Sequence, residues 1–421
     1  MENVERIVLA NGITVIAIAN TTADIVAGRL FFRQAGQRVE RPEQAGIASL
    51  VATLLTKGTA TLSAAEIADK IESVGAGLGT DAASDYLQAS FKTISADFEA
   101  ILQLLAELLR APGFPEREVE LERSLAIQSI RAENEQPFNV ALRQLRAAMY
   151  AQHPYGVPLL GREETVAGLT VDDLRAYHRA YFRPDRLIIS LAGNLPPARA
   201  VAAVEAAFGD WAVPLAPEVP AVAAPTLVAA PYCATQPQPT QQVIVMLGYL
   251  ASDVTQDDYP ALKLLNTYLG NGLSSRLFVE LREKRGLAYD VSAFYPTRLD
   301  RSQFVTYMGT APENVEIAIA GLQQEVDRLC QAPLPAAEWQ TAQNKLLGQY
   351  ALGKQSNAQM AQLYGWYETL GLGIDFDREF QARVAATTAA EAYTAACKHF
   401  AIAPYISLVG PPEAIALEAE E

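Results

Sequence analysis

The chain has 421 residues, of which half are hydrophobic, and a formal net charge of −15. This length exceeds what one ordinary core needs, so the sequence predicts a folded protein of about two to three domains. The acidic balance argues against nucleic-acid binding, and no apolar run approaches the roughly 18 residues that a membrane span requires.

The N-terminus and the cysteines give expectations about cellular location, disulfides and metal sites. Residues 1–6 are acidic and lead directly into a strand-like pattern, with no sign of a secretory signal peptide, so we expect a cytoplasmic location. Cys233, Cys330 and Cys397 are odd in number and form no C-x-x-C pair. We therefore expect neither a disulfide framework nor a thiolate metal site.

The first half of the chain alternates strand patterns with helix patterns. Strands are predicted at 14–18, 27–33 and 86–93, and helices at 47–55, 98–109 and 116–131. Ser63 and Glu66 form a capping box that opens a further helix. This order predicts an α+β fold, with a mostly antiparallel sheet and helices packed on one of its faces.

A proline-rich stretch divides the chain near its middle. Residues 213–240 contain seven prolines and few charges, which is typical of an extended linker. Similar strands end at Gly193 and Gly410, and similar turns after an apolar helix contain Pro112 and Pro333. Two matches at nearly one offset indicate duplication, so we predict one domain at 1–212 and a second at 241–421.

In the second half, a helix is predicted from Ser274 to Arg285 after a short glycine-containing loop. Gly286 ends that helix, and a strand is predicted over 287–294. The loop at 269–273 is not followed by a lysine in a Walker-type pattern, which disfavours phosphate binding.

Several of these segments carry a resemblance to a known family. The segments are Leu9–Gly12, Gly46–Thr59, Tyr155–Gly156, Gly161–Thr165, Tyr181–Asp185, Ala192–Asn194 and the stretch from Ser274 to Tyr289. Together they resemble the pitrilysin and mitochondrial-processing-peptidase family of zinc peptidases, over nearly the whole chain. The resemblance implies two duplicated α+β domains and a peptide-cleaving ancestor.

Catalytic members of that family carry H-x-x-E-H on their first helix, where two histidines bind zinc and the glutamate is the general base. The resemblance aligns the histidines with Ser49 and Thr53, the base with Ala52 and the remote glutamate ligand with Ser129. Neutral hydroxyls are poor zinc ligands, and alanine cannot move a proton. We therefore expect no metal in this chain.

The histidine count supports that expectation independently. His153, His178 and His399 are the only histidines, and no two lie one helical turn apart. We expect each to be a surface or packing residue.

The resemblance implies a retained role for Arg282 and Tyr289. In the family, the half or subunit without zinc supplies an arginine and a tyrosine seven residues apart. Both are strong hydrogen-bond donors that can hold a substrate carbonyl near the scissile bond. The competing interpretation is that Arg282 pairs with a surface carboxylate and Tyr289 fills a sheet edge.

Three functional hypotheses follow. The leading one is a non-catalytic, substrate-binding subunit of a heterodimeric zinc peptidase, whose partner is a homologous zinc-bearing subunit and whose ligand is a peptide. In isolation such a chain can also form a homodimer. The second hypothesis is a structural scaffold or assembly subunit. The third is a hydrolase with different chemistry, for which a nucleophile such as Ser49 lacks an identifiable histidine or lysine partner.

Overall fold

A computed structural model describes residues 4–214 and 232–416 of the chain. The strands in chain order are β1 (Val4–Val8), β2 (Thr14–Ala19), β3 (Ile25–Arg33), β4 (Gly77–Ala82), β5 (Tyr86–Ile94), β6 (Leu187–Gly193), β7 (Tyr232–Pro237), β8 (Val243–Ala251), β9 (Asp290–Phe294), β10 (Ser302–Thr310) and β11 (Tyr405–Gly410).

Helices connect these strands. In chain order they are α1 (Ile47–Leu54), α2 (Ala64–Glu72), α3 (Phe98–Arg110), α4 (Glu116–Glu135), α5 (Pro137–Tyr150), α6 (Glu163–Gly168), α7 (Val171–Tyr181), α8 (Pro197–Phe208), α9 (Tyr259–Gly270), α10 (Val315–Asp327), α11 (Ala336–Leu352), α12 (Asn357–Thr369), α13 (Phe376–Ala386), α14 (Ala389–Phe400) and α15 (Pro412–Ile415). A π-helix spans Phe278–Lys284. Within the described ranges, no helix is both long enough and apolar enough to cross a membrane.

The chain forms two compact units, each built from three separate stretches of the sequence. Unit 1 is drawn from Met1–Ile130, Pro158–Val222 and Ala351–Asp377, and unit 2 from the three stretches between and after them. Helix α5 therefore belongs to unit 2 although it precedes the chain midpoint, and α12 belongs to unit 1 although it follows it.

The sheet of unit 1 has six strands in the order β1-β2-β6-β3-β5-β4. All neighbouring pairs are antiparallel except β2 and β6, which run parallel. The predicted mostly antiparallel α+β architecture is thus confirmed. Side chains on β2 alternate between two faces, as a pleated strand requires, with Val15 in one apolar cluster and Ile16 in another.

Both faces of this sheet are covered, so the expectation of helices on one face only was wrong. One face packs against helices that include α1, α3 and α8. The other face packs against α12, which places Met360 and Tyr364 beside Phe31. At Gly365 a Cβ would lie 2.4 Å from a Phe31 ring carbon, so only glycine permits this close approach.

Unit 2 repeats the arrangement with a five-stranded sheet in the order β7-β11-β8-β10-β9. Helix α5 covers one face through Leu145, which packs in a cluster with Met246. Helix α14 covers the opposite face, where the Phe400 ring lies 5.2 Å from the Tyr249 ring.

The predicted linker falls mostly outside the described residues. Residues 215–231 of the predicted 213–240 stretch are not described, whereas Tyr232–Pro237 forms β7, an edge strand parallel to β11. This part of the stretch is a strand because its backbone hydrogen-bonds to β11. The predicted domain boundaries themselves stay a prediction.

Candidate functional site

Helix α1 of unit 1 carries three of the four predicted degenerate positions. Its apolar residues recur at helical spacing and are buried, from Ile47 to Leu54. The carboxyl group of Glu40 caps its N-terminus by accepting bonds from the backbone N–H groups of Gly46 (3.1 Å) and Ala48 (2.9 Å). Burial raises the pKa of Glu40 to about 7, against the lowering effect of these two bonds.

The hydroxyl groups on α1 are used in bonds to the backbone. Ser49 Oγ donates to the carbonyl oxygen of Leu159 at 2.9 Å, and Thr53 Oγ1 donates to the carbonyl oxygen of Ser49 at 3.0 Å. Ala52, which the sequence analysis aligned with the general base, is only 1% exposed. This face of α1 therefore offers neither an imidazole nor a carboxylate to a metal.

The fourth position lies on α4. Ser129 is exposed, and its Oγ donates to the carbonyl oxygen of Leu125 at 3.0 Å. A buried carboxylate on the same helix, that of Glu122, is held 2.8 Å from the ammonium of Lys57. Since Glu122 is already paired with a cation, it is not a free metal ligand.

These donors do not fit a zinc ion. Zinc sites in proteins are built from cysteine, histidine and carboxylate groups, usually four in a tetrahedral arrangement. Throughout 4–214 and 232–416, no group of three or more such side chains is arranged to hold a metal. We assign no reaction step to a metal bound by this chain.

The histidines have packing roles. Nε2 of His178 lies 2.8 Å from the carbonyl oxygen of Leu109, and burial lowers its pKa to about 4. Nε2 of His153 lies 3.1 Å from the carboxylate of Asp300.

A serine–histidine–aspartate contact in unit 2 was missed by the sequence reasoning. Nε2 of His399 lies 3.2 Å from Ser252 Oγ and 2.9 Å from Asp258 Oδ2. In a catalytic triad the serine and the aspartate contact opposite ring nitrogens, but here both contact the same one. Ser252 is also buried, so the cluster is a structural hydrogen-bond network. Ser252 and His399 are 147 positions apart, so no local motif links them in the sequence.

Arg282 and Tyr289 lie in unit 2, on and after the π-helix. The predicted helix at 274–285 is present as the π-helix Phe278–Lys284, a rare geometry that recurs at functional sites. The guanidinium carbon of Arg282 stands 4.9 Å from the centre of the Phe278 ring. Tyr289 comes just before β9, and its backbone N–H donates to the carbonyl oxygen of Gly309 at 2.9 Å.

The two side chains point into solvent. Arg282 is exposed and Tyr289 is 60% exposed. Among the described residues, neither side chain has a hydrogen-bond or ion-pair partner. Of the competing interpretation, the ion pair for Arg282 is absent among the described residues, whereas Tyr289 does lie at the edge of the sheet, beside β9 and β10.

Two neighbouring cations on the same segment behave differently, whereas Arg285 resembles Arg282 in being exposed and without an ion pair among the described residues. Arg276 is paired with Glu280 at 2.8 Å and with Glu325 at 2.7 Å. Lys284 is also paired with Glu280, at 2.8 Å. Arg282 is thus set apart from them by lacking a carboxylate partner.

A small cavity of about 220 Å³ adjoins the start of the π-helix. Its lining includes Arg276 and Lys345. The ammonium of Lys345 donates to the carbonyl oxygen of Asn271 and lies 3.3 Å from Ser274 Oγ, which fastens the glycine-containing loop to α11. Leu273 at the tip of that loop is 75% exposed.

Comparisons with known proteins agree with this architecture. The family described as "Insulinase (Peptidase family M16)" matches residues 14–163, and the one described as "Peptidase M16 inactive domain" matches residues 168–346. The chain is 28% identical over 377 residues to the uncharacterized zinc protease YmxG of Bacillus subtilis, covering 87% of this chain and 90% of that protein. It is 29% identical over 381 residues to an uncharacterized zinc protease of Streptomyces coelicolor, covering 89% and 83%.

Two solved structures are similar over their full length. The peptidase M16 inactive domain from Pseudomonas fluorescens has a TM-score of 0.89 and 25% identity, covering 97% of this chain and 98% of that one. A protease from Helicobacter pylori has a TM-score of 0.88 and 20% identity, covering 98% and 100%, and shows the shared fold.

Proposed function

Because the chain belongs to peptidase family M16 but has no metal-binding side chain at the aligned ligand positions, we propose that it is a non-catalytic, substrate-binding subunit of a heterodimeric zinc metallopeptidase. Its partner is a homologous subunit that carries the zinc, and its ligand is a peptide or an unfolded segment. The observation that carries the proposal is the pair Arg282 and Tyr289, both exposed and both without a polar partner in the described chain.

The electrostatics of the segment support this role. An exposed guanidinium that makes no ion pair keeps its five donors available for an incoming acceptor. Lys284 is also exposed but is engaged with Glu280, so exposure alone does not distinguish Arg282. The phenol of Tyr289 adds a neutral donor seven residues further on.

On this proposal the chemistry would divide between two chains. The zinc would be held by the ligands of the partner subunit and would supply the Lewis acid that polarises the scissile carbonyl and activates water. Arg282 and Tyr289 donate hydrogen bonds to backbone carbonyls of the bound peptide, which fixes its position relative to that zinc. Where such a bond strengthens as charge develops on the carbonyl oxygen, it also lowers the barrier.

The test uses this chain together with a zinc-bearing M16 homologue from the same organism. Cleavage of an internally quenched fluorescent peptide is measured for each chain alone and for the mixture. We expect activity from the mixture only. Arg282→Ala combined with Tyr289→Phe should lower kcat/KM by about 100-fold or more, the usual cost of losing preorganised donors.

Lys284→Ala is the matched control, because it also removes an exposed cation from the π-helix but only breaks a surface pair worth a few tenths of a kcal/mol. The mixture that contains the Lys284→Ala chain should cleave the peptide at the same rate as the mixture that contains the parent chain. Light scattering on each mixture separates loss of assembly from loss of chemistry. A homologue that is fully active alone, or a double variant with unchanged activity in an intact complex, would refute the proposal and favour the scaffold role. A cytoplasmic location and a homodimer of the isolated chain stay predictions.

A further inference from the structure

Two cysteines that are distant in sequence lie side by side in unit 2. Cys397 on α14 and Cys330 at the end of a short 3₁₀ turn are 67 positions apart, yet Cys397 Sγ lies 3.7 Å from the carbonyl oxygen of Cys330. The sequence-based expectation that no cysteines pair rested on the lack of a local motif, and sequence spacing does not reveal this neighbourhood.

This contact makes the two cysteines candidates for a disulfide. Because Cys397 Sγ reaches the backbone of Cys330, rotation of the Cys330 side chain is the movement that would turn its sulfur towards Cys397. Both residues are half-buried, neither fully enclosed nor fully exposed. The third cysteine, Cys233, is exposed on the edge strand β7 and has no cysteine beside it among the described residues.

We propose that Cys330 and Cys397 form a redox-active thiol pair, a modification site that a disulfide oxidant such as glutathione disulfide closes into an intramolecular disulfide. The thiolate of Cys397 attacks one sulfur of glutathione disulfide, whose S–S bond breaks and releases one glutathione thiolate. The thiolate of Cys330 then attacks Cys397 Sγ in the mixed disulfide and releases the second glutathione. In sum, two protein thiols are oxidised and one glutathione disulfide is reduced to two thiols.

The environment of Cys330 sets the rate of ring closure. Burial raises the pKa of Cys330 to about 12, so little of its thiol is deprotonated at neutral pH. We therefore expect attack by Cys330 to be slow and to become faster as pH rises. In a reducing compartment the pair stays as two thiols until the oxidant accumulates.

The bond would tie together parts that support the loop beside Arg282. The 3₁₀ turn leads into α11, which holds that loop through Lys345. Helix α11 is already tied to the residue before the N-cap of α14, since Trp339 Nε1 donates to the carbonyl oxygen of Thr387 at 3.0 Å. A Cys330–Cys397 disulfide adds a covalent link at the opposite end of α14.

The experiment oxidises the intact chain with glutathione disulfide at pH 7 and pH 8.5 and counts thiols after denaturation. The fully reduced chain contains three. In Cys233→Ser, where only the pair remains, we expect the count to fall from two to none. The mass should decrease by two hydrogens, and a tryptic peptide pair should join Cys330 to Cys397. The thermal midpoint should rise by about 5 °C on oxidation and return with dithiothreitol.

Cys330→Ser and Cys397→Ser serve as controls that should acquire glutathione without closing a ring. They also keep the test valid if one variant folds poorly. The proposal is overturned if Cys233→Ser retains both thiols under conditions that modify Cys233 in the parent. It is also overturned if Cys330 and Cys397 each carry a separate glutathione.

Discussion

Helix α1 in unit 1 and the π-helix segment in unit 2 differ in whether their predicted site residues have hydrogen-bond partners within the chain. On α1, the hydroxyls of Ser49 and Thr53 donate to backbone carbonyls of this chain. On and after the π-helix, Arg282 and Tyr289 face solvent without a polar partner in the described chain. The hydroxyls on α1 are therefore hydrogen-bonded within the fold, whereas the side chains of Arg282 and Tyr289 remain available to a ligand.

The two arrangements also differ in how much they contribute to stability. A serine or threonine bonded to a helix carbonyl is satisfied locally and constrains only its own turn. An exposed arginine that stacks on an aromatic ring has its guanidinium held in one position, and this contact adds little to the stability of the fold. Side chains that contribute little to folding and yet are held in position are candidates for binding, and this favours unit 2 as the functional half.

The largest effect should come from rebuilding the metal-binding face of α1. In Ser49→His combined with Thr53→His, two imidazoles would lie one turn apart on a helix that the structure retains. We expect zinc affinity to rise by two or more orders of magnitude over the parent, as measured by competition with a chromogenic chelator. Ala52 is left unchanged, so only metal binding is altered.

A matched control has the same composition with the wrong spacing. Ser49→His combined with Thr56→His places the second imidazole seven residues away, past the end of α1 at Leu54, and so loses the one-turn spacing. Equal zinc affinity in the two double variants would show that this face no longer has the geometry of a metal site. The difference between the two regions would then lie in the backbone as well as in the side chains.

A smaller effect should follow from the carboxyl group that caps α1. The pKa of Glu40 in the folded chain, about 7, lies above its ordinary value of 4.5. The folded state therefore binds more protons than the unfolded state in this interval. The stability contributed by Glu40 is complete below about pH 4.5 and is lost as pH rises through 7.

Urea unfolding of the parent and of Glu40→Gln at pH 5 and pH 8 measures this loss. Relative to Glu40→Gln, whose amide does not titrate, the parent should lose about 2 kcal/mol of unfolding free energy between the two pH values. Glu40→Ala removes both bonds to the helix N-terminus and should cost about 1–2 kcal/mol at pH 5. A parent-to-Gln difference that is the same at both pH values would contradict the assignment of a raised pKa.

Local patterns predicted the elements of both regions. The i, i+3, i+4 spacing of apolar residues predicted α1, and Ser63 with Glu66 forms the predicted capping box. These features depend on residues within one or two turns, so the sequence carries them directly. The H-x-x-E-H comparison then located the degenerate positions on that helix.

Long-range placement was beyond these patterns. Nothing in the local sequence of α12 indicates that Phe31, more than 300 positions earlier, lies against it. Likewise, the sequence predicted a helix around Arg282 but not a π-helix, because periodicity over seven residues does not resolve the extra residue per turn. The proximity of Cys330 and Cys397 was missed for the same reason.

The smallest effect concerns the ring under Arg282. Phe278→Leu keeps apolar bulk but removes the π-face that holds the guanidinium 4.9 Å away, a contact worth about 0.5–1 kcal/mol. On the proposed function, peptide cleavage by the mixture with a zinc-bearing homologue should fall by about two- to five-fold, and Phe278→Tyr should retain the parent rate. In an Arg282→Ala background, Phe278→Leu should have no further effect, since the contact is already absent. If Phe278→Leu lowers the rate equally in both backgrounds, the ring acts on the fold of the π-helix and not through Arg282.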